Sequence, residues 1–395
     1  GTNEGWQNSY GDGQAVVEAN GNVWEVATSN WVFDGQIGGG PGSWDTGHGF
    51  KLKTNAQSGA NAKCFKSRVN TDVNNITVSH FEMEGTGDLA SGSIDNFYSV
   101  SPELELTGWK LSYSYLHDVN RVNILTRGHN GFIVEYNLLA RCHSDPTVHG
   151  EAWSSERDNN ITVRYNIFED IEGSGVIYIK QNAACSPPSN DWFIYGNVFW
   201  HTPEFRQKGQ YASSVFGRGN EDEAGEGCSQ EAGDVNGLRF YHNTIVGVGG
   251  DHSEASPGSG VCGADILIED DGSDNIVKNN LWSDCCYRGT MGDLPERDYN
   301  YYYDIRDYRT EEDVTDNFVA LEVNAQKGTG DILSNSSDRG QLFLTASTLQ
   351  GDSSIGDEYN ADMLGNIRGA DGTWDRGAYE YVSSSYPQGD VDGNN

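Results

Sequence analysis

The chain has 395 residues, with 25 basic against 59 acidic side chains and a formal net charge of −34. So acidic a surface disfavours nucleic acid and anionic membranes as partners of the whole protein, while leaving room for a local basic cleft. With 36% hydrophobic residues there is no run long enough to span a bilayer, and 50 Gly and 20 Tyr against 3 Met point to many short strands rather than helices.

The start at Gly1-Thr2, without Met and without a visible signal peptide, reads as a processed or trimmed N-terminus. The first 50 residues are rich in Gly and Trp, and residues 1–70 are expected to form an N-terminal cap and opening coils. From Ile76 a phrase recurs: ITVSHFEME, KLSYSYLHD, FIVEYNLLA, ITVRYNIFE, WFIYGNVFW, LRFYHNTIV and NIVKNNLWS. Five copies place Asn at one position (Asn137, Asn166, Asn197, Asn243, Asn280), and the two earlier ones align His80 and Ser114 there. A constant strand with loops of variable length is the pattern of stacked repeats. Asn side chains stacked at a turn can satisfy one another's amides and the neighbouring backbone. The expected fold is therefore all-β, a single-stranded right-handed parallel β-helix, or solenoid, with long loops on one face. Residues 71–290 would form its regular coils, stacked about 4.8 Å apart.

A second run follows most phrases: VNILTR (122–127), EAWSSE (151–156), GVIYIK (175–180), SSVFGR (213–218) and ADILIE (264–269). Alternation places Ile124, Trp153, Ile177, Val215 and Ile266 inward, with Thr126, Ser155, Ile179, Gly217 and Ile268 two residues on. Asn123, Ala152, Val176, Tyr178 and Phe216 then face out, and the last outward column reads Arg127, Glu156, Lys180, Arg218, Glu269. The bland reading is a solvated face of weak ion pairs. The functional one is a groove in which Tyr178 and Phe216 offer rings to sugars.

Long loops border this face, where binding and catalysis tend to sit. Residues 141–150 carry His143, Asp145 and His149, beside Glu151, with no sharp metal spacing. Glu221, Asp222 and Glu223, and separately Glu269, Asp270 and Asp271, are candidate oxygen ligands for Ca²⁺. Seven cysteines leave at least one thiol unpaired within the chain, and Cys185 with Cys228 and Cys262 with Cys285 or Cys286 are plausible staples. After Cys286 the repeat weakens, and residues 291–381 read as C-terminal coils and irregular loops closing with GTWDRGAYEY. Residues 382–395 read as a linker, whose DVDGNN is similar to the start of a dockerin-like Ca²⁺ loop and points to an anchoring module missing from this chain.

At the Asn ladder and the 149–180 block, the sequence resembles the pectate-lyase-like β-helix superfamily over roughly residues 75–285. Within it, EAWSSERDNNITVRYNIFEDIEGSGVIYIK is similar to the core of the alginate lyase and chondroitinase B family. The resemblance implies a Lys base at the end of one strand and an Arg assisting the leaving group one coil later. Here the first falls on Glu156 or Arg157 and the second on Lys180, so Glu156 departs from the pattern.

The favoured reading is a secreted polysaccharide lyase cleaving a uronate-containing glycan by β-elimination. That chemistry needs a base for the proton α to the carboxylate, positive charge for the enolate-like intermediate, and an acid for the leaving oxygen. Lys180 is the expected base, Arg218 and Arg127 would hold the carboxylate, and Tyr178 or His149 would be the acid. Arg157, Phe216, His143 and Glu151 are expected substrate contacts. The alternatives are a glycoside hydrolase pairing Glu156 with Glu151, Asp145 or Glu135, and a non-catalytic glycan-binding adhesin.

Overall fold

The computed structural model describes residues 13–87, 92–143, 150–173, 175–179, 189–207, 214–218, 235–249, 266, 273–287, 296–307, 310 and 312–382. Short strands dominate, and they assemble into three long sheets of eleven, nine and seven strands. The chain visits these sheets in turn. Lys110–Ser112, Tyr115–Val119 and Val122–Arg127 make one circuit, and Ile133–Glu135, Leu138–Cys142 and Glu151–Glu156 make the next. Each strand pairs in parallel with its counterpart one circuit on. The all-β class and the stacking of repeats follow from this topology.

The repeated phrase earns its Asn from the corner it occupies. Asn137, Asn166, Asn197, Asn243 and Asn280 are fully buried and form one ladder. The main-chain N–H and the Nδ2 of each donate to a single Oδ1 on the next circuit. For Asn166 onto Asn197 these distances are 2.9 and 3.0 Å, and the same pair of bonds links Asn137 to Asn166, Asn197 to Asn243 and Asn243 to Asn280. The second Nδ2 hydrogen reaches a main-chain carbonyl of the preceding circuit, as from Asn166 to Val134 at 2.9 Å. These bonds satisfy the main-chain N–H of each ladder Asn and a carbonyl of the preceding circuit at this buried corner.

The ladder extends further than the phrases suggest. Asn280 passes its hydrogens to Asn300, and Asn300 passes its own to the carboxylate of Glu322 at 3.1 and 3.0 Å. Within residues 291–381, read from the sequence as C-terminal coils and irregular loops, the strands Glu296–Asp298 and Tyr301–Asp307 make another circuit. At the other end Ser114 belongs to the ladder, its N–H donating to Asn137 and its hydroxyl accepting from Phe81. His80 does not. Lys110 pairs with Thr77 and Ser112 with Ser79, so Phe81 stands level with Ser114 and His80 one residue earlier. That earlier place is left-handed in eight successive circuits: His80, Tyr113, Tyr136, Tyr165, Gly196, His242, Asn279 and Tyr299 all have φ between 50° and 64°. A non-glycine residue there costs roughly 1–2 kcal/mol. Stacking of His80, Tyr113, Tyr136 and Tyr165, with centroids 5.0–5.1 Å apart, works against that cost.

The three sheets enclose an apolar interior whose rings stack along the repeat, as in Phe65 on Phe97 at 5.2 Å and Phe168 on Phe199 at 4.8 Å. The first strands of the eleven-stranded sheet carry Lys51, Lys53, Glu82 and Glu84 on their outer side, but further along that side is apolar. There Leu138, Ile167, Val198 and Leu281 pack against Leu333, Leu342, Leu344, Met363 and Tyr379 of the C-terminal segment. The closing motif seats this segment: Arg376 donates to Asn300 O and Gln350 O, Gly377 N to Asn279 O, and Ala378 N to the Thr244 hydroxyl. Cys286 is disulfide-bonded, while Cys285, Cys64 and Cys142 are free and buried. Between the two expected partners of Cys262, Cys285 is thereby excluded; Cys185, Cys228 and Cys262 lie outside the described residues.

Asn166→Leu leaves the N–H and Nδ2 partners of two circuits without an acceptor or donor. It should lower unfolding free energy by roughly 1–3 kcal/mol, read by urea denaturation. An unchanged midpoint would show that the ladder adds nothing.

Candidate functional site

With one flank under the C-terminal segment, the outer face of the seven-stranded sheet carries a groove of about 410 Å³. It crosses the strands Asn61–Ser67, Ser93–Val100, Val122–Arg127 and Glu151–Glu156, and its lining includes Lys63, Lys66, Tyr98, Arg121, Arg127 and Glu156. Four of the chain's 25 basic residues gather here.

The charges are coupled across neighbouring strands. Asp95, fully buried, is held by Lys63 at 2.6 Å and by Arg121 at 3.3 Å. The Lys63 ammonium also donates to Asn61 Oδ1 at 2.6 Å and Ser93 O at 3.0 Å, so all three of its hydrogens are committed. Burial lowers its pKa against the opposing pull of Asp95, with Arg121 and Lys66 adding to the lowering. Lys66 pairs with Glu25 at 2.9 Å. Arg127 pairs with Glu156 at 3.0 Å, and its Nε is buried with no hydrogen-bond partner among the described residues. Tyr98 stands among these cations, with the Lys63 ammonium 5.3 Å from its ring centre. Burial and then Asp95 raise its phenol pKa, while Arg121 and Arg127 pull it down. The phenol is thus protonated at neutral pH and lies in a field of positive charge.

Beneath the groove runs a buried polar layer. The Asp158 carboxylate accepts hydrogen bonds from the Thr126 hydroxyl, from Ser155 Oγ at 2.6 Å and from His129 N–H at 2.8 Å. Thr126 and Ser155 immediately precede Arg127 and Glu156, so Asp158 ties together the strand ends that present this ion pair. Burial raises its pKa to about 6, although the three donors favour the ionised form.

The expected outward column is partly realised. Arg127 and Glu156 are adjacent, as read. Tyr178 is half-buried on the next strand, level with Ser154, beyond the groove's lining. Phe216 is a correction: it pairs with Ile177 and is fully buried in the core, while Gly217 takes the place level with Tyr178. The strand is shifted by one residue from the expected register, which exchanges its two faces. Arg218 accordingly lies level with Ile179 rather than continuing the Arg127–Glu156 column. Asn123, Ala152 and Val176 are also buried rather than outward. They sit at the corner where the strand leaves the eleven-stranded sheet, and Asn123 Nδ2 donates there to Ala140 O. Glu151 is buried outright. Arg157 sits past its strand in a left-handed turn, donating to Pro102 O. His143 belongs to the corner after a strand of the eleven-stranded sheet and meets Glu172 at 3.0 Å. His149, Lys180, Glu221, Asp222, Glu223, Glu269, Asp270 and Asp271 lie outside the described residues.

Lys63, Lys66, Asp95, Tyr98 and Arg121 were missed. The runs KCFKS and SIDNFYSV carry the same alternation as the later second strands, and that was the available signal. Elsewhere Glu82, Glu84 and His117 approach one another closely enough to suggest a metal. Lysines take that role instead: Lys51 bridges Glu82 and Glu84, Lys53 meets Glu84 at 2.6 Å, and Gln14 donates to Glu82 at 2.7 Å. Burial raises the Glu82 pKa, but hydrogen bonds from His117, Lys51 and Gln14 outweigh it and hold the carboxyl at about 2.

The raised Asp158 pKa makes a signed prediction. The folded chain binds this proton more tightly than the unfolded one, so the contribution is fully present below about pH 4 and lost as pH rises through about 6. The shift from 3.8 to about 6 corresponds to about 3 kcal/mol. Asp158→Asn should therefore destabilise more at about pH 4 than at about pH 7, measured by urea unfolding at both. Equal effects at the two pH values would remove Asp158 as the titrating group.

The sequence matches no protein-family model and no curated protein.

Proposed function

We propose that the chain is a right-handed parallel β-helix, secreted, whose groove binds an acidic polysaccharide and cleaves it by β-elimination. One observation carries the reading: a chain of net charge −34 assembles Lys63, Lys66, Arg121 and Arg127 around a single tyrosine on an open sheet face. Field focusing of this kind draws an anionic polymer against the charge of the whole. Arg127, whose side chain keeps 20% of its surface exposed beside Glu156, and Arg121, which spends one nitrogen on Asp95, can hold a uronate carboxylate and stabilise the enolate-like intermediate. Tyr98, protonated at neutral pH, suits the acid that meets the leaving glycosidic oxygen. Lys63 is a poor base because Asp95, Asn61 and Ser93 hold its hydrogens. Lys180 remains the base expected from sequence. The hydrolase reading draws less support. Glu156, the carboxylate in the groove's lining, is engaged by Arg127, and Asp95 is fully buried against Lys63 and Arg121, so the described residues make no acid–base pair across the groove.

The test is a screen of uronate-containing and neutral polysaccharides, read by ultraviolet absorbance of an unsaturated product and by reducing ends. Absorbance should rise with uronate polymers only. Tyr98→Phe should lower turnover by about two to four orders of magnitude with little change in melting temperature. Reducing ends without absorbance would favour the hydrolase, and full activity in Tyr98→Phe would place the acid elsewhere.

A further inference from the structure

A second amide ladder runs along the corner where the chain enters the nine-stranded sheet, and solvent reaches it. Asn130, Asn159, Asn190, Asn236 and Ser273 stand level on successive circuits. Asn190 donates its N–H and Nδ2 to Asn159 Oδ1 at 3.0 and 2.9 Å, and Ser273 its N–H and hydroxyl to Asn236 Oδ1 at 2.8 and 3.0 Å. Asn236 Nδ2 reaches Asn190 Oδ1 at 3.2 Å. Unlike the buried ladder, all five are half-buried or exposed. The residue after each is left-handed: Gly131, Asn160, Asp191, Gly237 and Asp274 have φ between 53° and 89°. Along this corner lies an open hollow of about 580 Å³, and among the described residues its lining holds no apolar or cationic side chain. Asn160 spends Nδ2 on Asn130 Oδ1 at 2.6 Å, while its own Oδ1 and the Asp191 carboxylate make no hydrogen bond among the described residues. Asp274 is paired with Arg239 at 2.7 Å. Two residues past Asp191, Phe193 lies between the buried Trp192 and Ile194, so its half-buried ring faces outward.

We infer that this corner binds a neutral, hydroxyl-rich glycan laid along the ladder, at a site separate from the groove. The inference stands apart from the acidic-glycan reading. An amide presents a donor and an acceptor side by side, and a sugar hydroxyl is both at once, so a row of amides matches a row of hydroxyls. Asp191 can accept from two neighbouring hydroxyls of one sugar, and the exposed part of the Phe193 ring offers an apolar surface to the C–H face of the next. The ladder's own hydrogen bonds hold the amides in place before the ligand arrives, which lowers the ordering cost of binding. Five circuits give a track of roughly 19 Å at the strand spacing, and a sugar in an extended chain advances by a comparable step. An anionic chain would meet Asp191 with Arg239 already committed to Asp274. A protein partner would want buried aromatic or aliphatic anchors, and the hollow offers none among the described residues.

The experiment is affinity electrophoresis of the whole chain in native gels cast with a soluble β-glucan, a galactomannan or an uncharged xylan. At least one of the three should retard the protein. The double variant Asn160→Gly with Asp191→Gly removes both uncommitted groups, and glycine already holds this left-handed place in the circuits of Gly131 and Gly237. It should weaken that retardation by at least about tenfold in apparent Kd. Phe193→Thr, which puts there the residue type that Thr162 supplies one circuit earlier, should weaken it by about threefold and serves if the double variant fails to fold. Tyr98→Phe, in the groove, should leave the retardation unchanged. Retardation by none of the three polysaccharides overturns the inference, as does full retention in the double variant or in Phe193→Thr. Retention lost in Tyr98→Phe assigns the binding to the groove and overturns it as well. None of these outcomes alters the reading of the groove as a site of uronate cleavage, which the absorbance screen tests separately.

Discussion

One shared acceptor organises the molecule. Each ladder Asn offers a single Oδ1 that takes both the main-chain N–H and the Nδ2 of the circuit before it. Only a short side chain carrying an acceptor and a two-hydrogen donor can do this and also reach the preceding carbonyl. Asp lacks the donor and Ser has one hydrogen only. The ladder therefore has a direction, with donors facing the C-terminal end, and its two ends need different chemistry. The first member need only accept Phe81 N–H and donate its own N–H, and Ser114 suffices. The last must accept without donating onward, and a carboxylate is the group that does so. Glu322 takes both hydrogens of Asn300 and also the Tyr302 hydroxyl at 2.5 Å, with Arg297 3.8 Å away.

A buried corner of this kind holds successive strands in register, and register is what makes surface columns meaningful. Because every strand of a sheet repeats at the same height, a residue type recurring in the right phase becomes a row on the surface. The two mapped outer faces put those rows to different use. That of the eleven-stranded sheet carries an apolar stretch that is closed by the C-terminal segment. That of the seven-stranded sheet is charged, grooved and underlain by a hydroxyl layer anchored on Asp158. The chain's own C-terminal end packs on the first of these faces.

Most of the repeat was legible because the Asn requirement is local: the phrase must supply the same side chain at the same corner whatever the loops do. Where the side chain changed, the phase was lost. His80 looked like a ladder member because the ITVSHFEME phrase has no Asn, and the left-handed place before it accepts His as readily as Tyr. Asn300 was overlooked because the run of tyrosines after it obscured the alternation. Phe216 was turned outward because Val215, Phe216 and Gly217 suit either phase of a short strand. The pairing with Ile177 is a contact between circuits, absent from any local pattern.

From the sequence alone came the all-β class, the repeat, the column of five asparagines, the face that carries the groove, and the Arg127–Glu156 neighbours. Each depends on periodicity within a strand or on one residue type at one corner, which the linear order records. The tertiary structure decided which charges meet. Lys63, Asp95 and Arg121 are separated by one circuit each, and the loop lengths between circuits vary, so their ion pairs exist only once the strands are stacked. It also decided which face the C-terminal segment covers, because that choice turns on apolar surface presented by many strands at once.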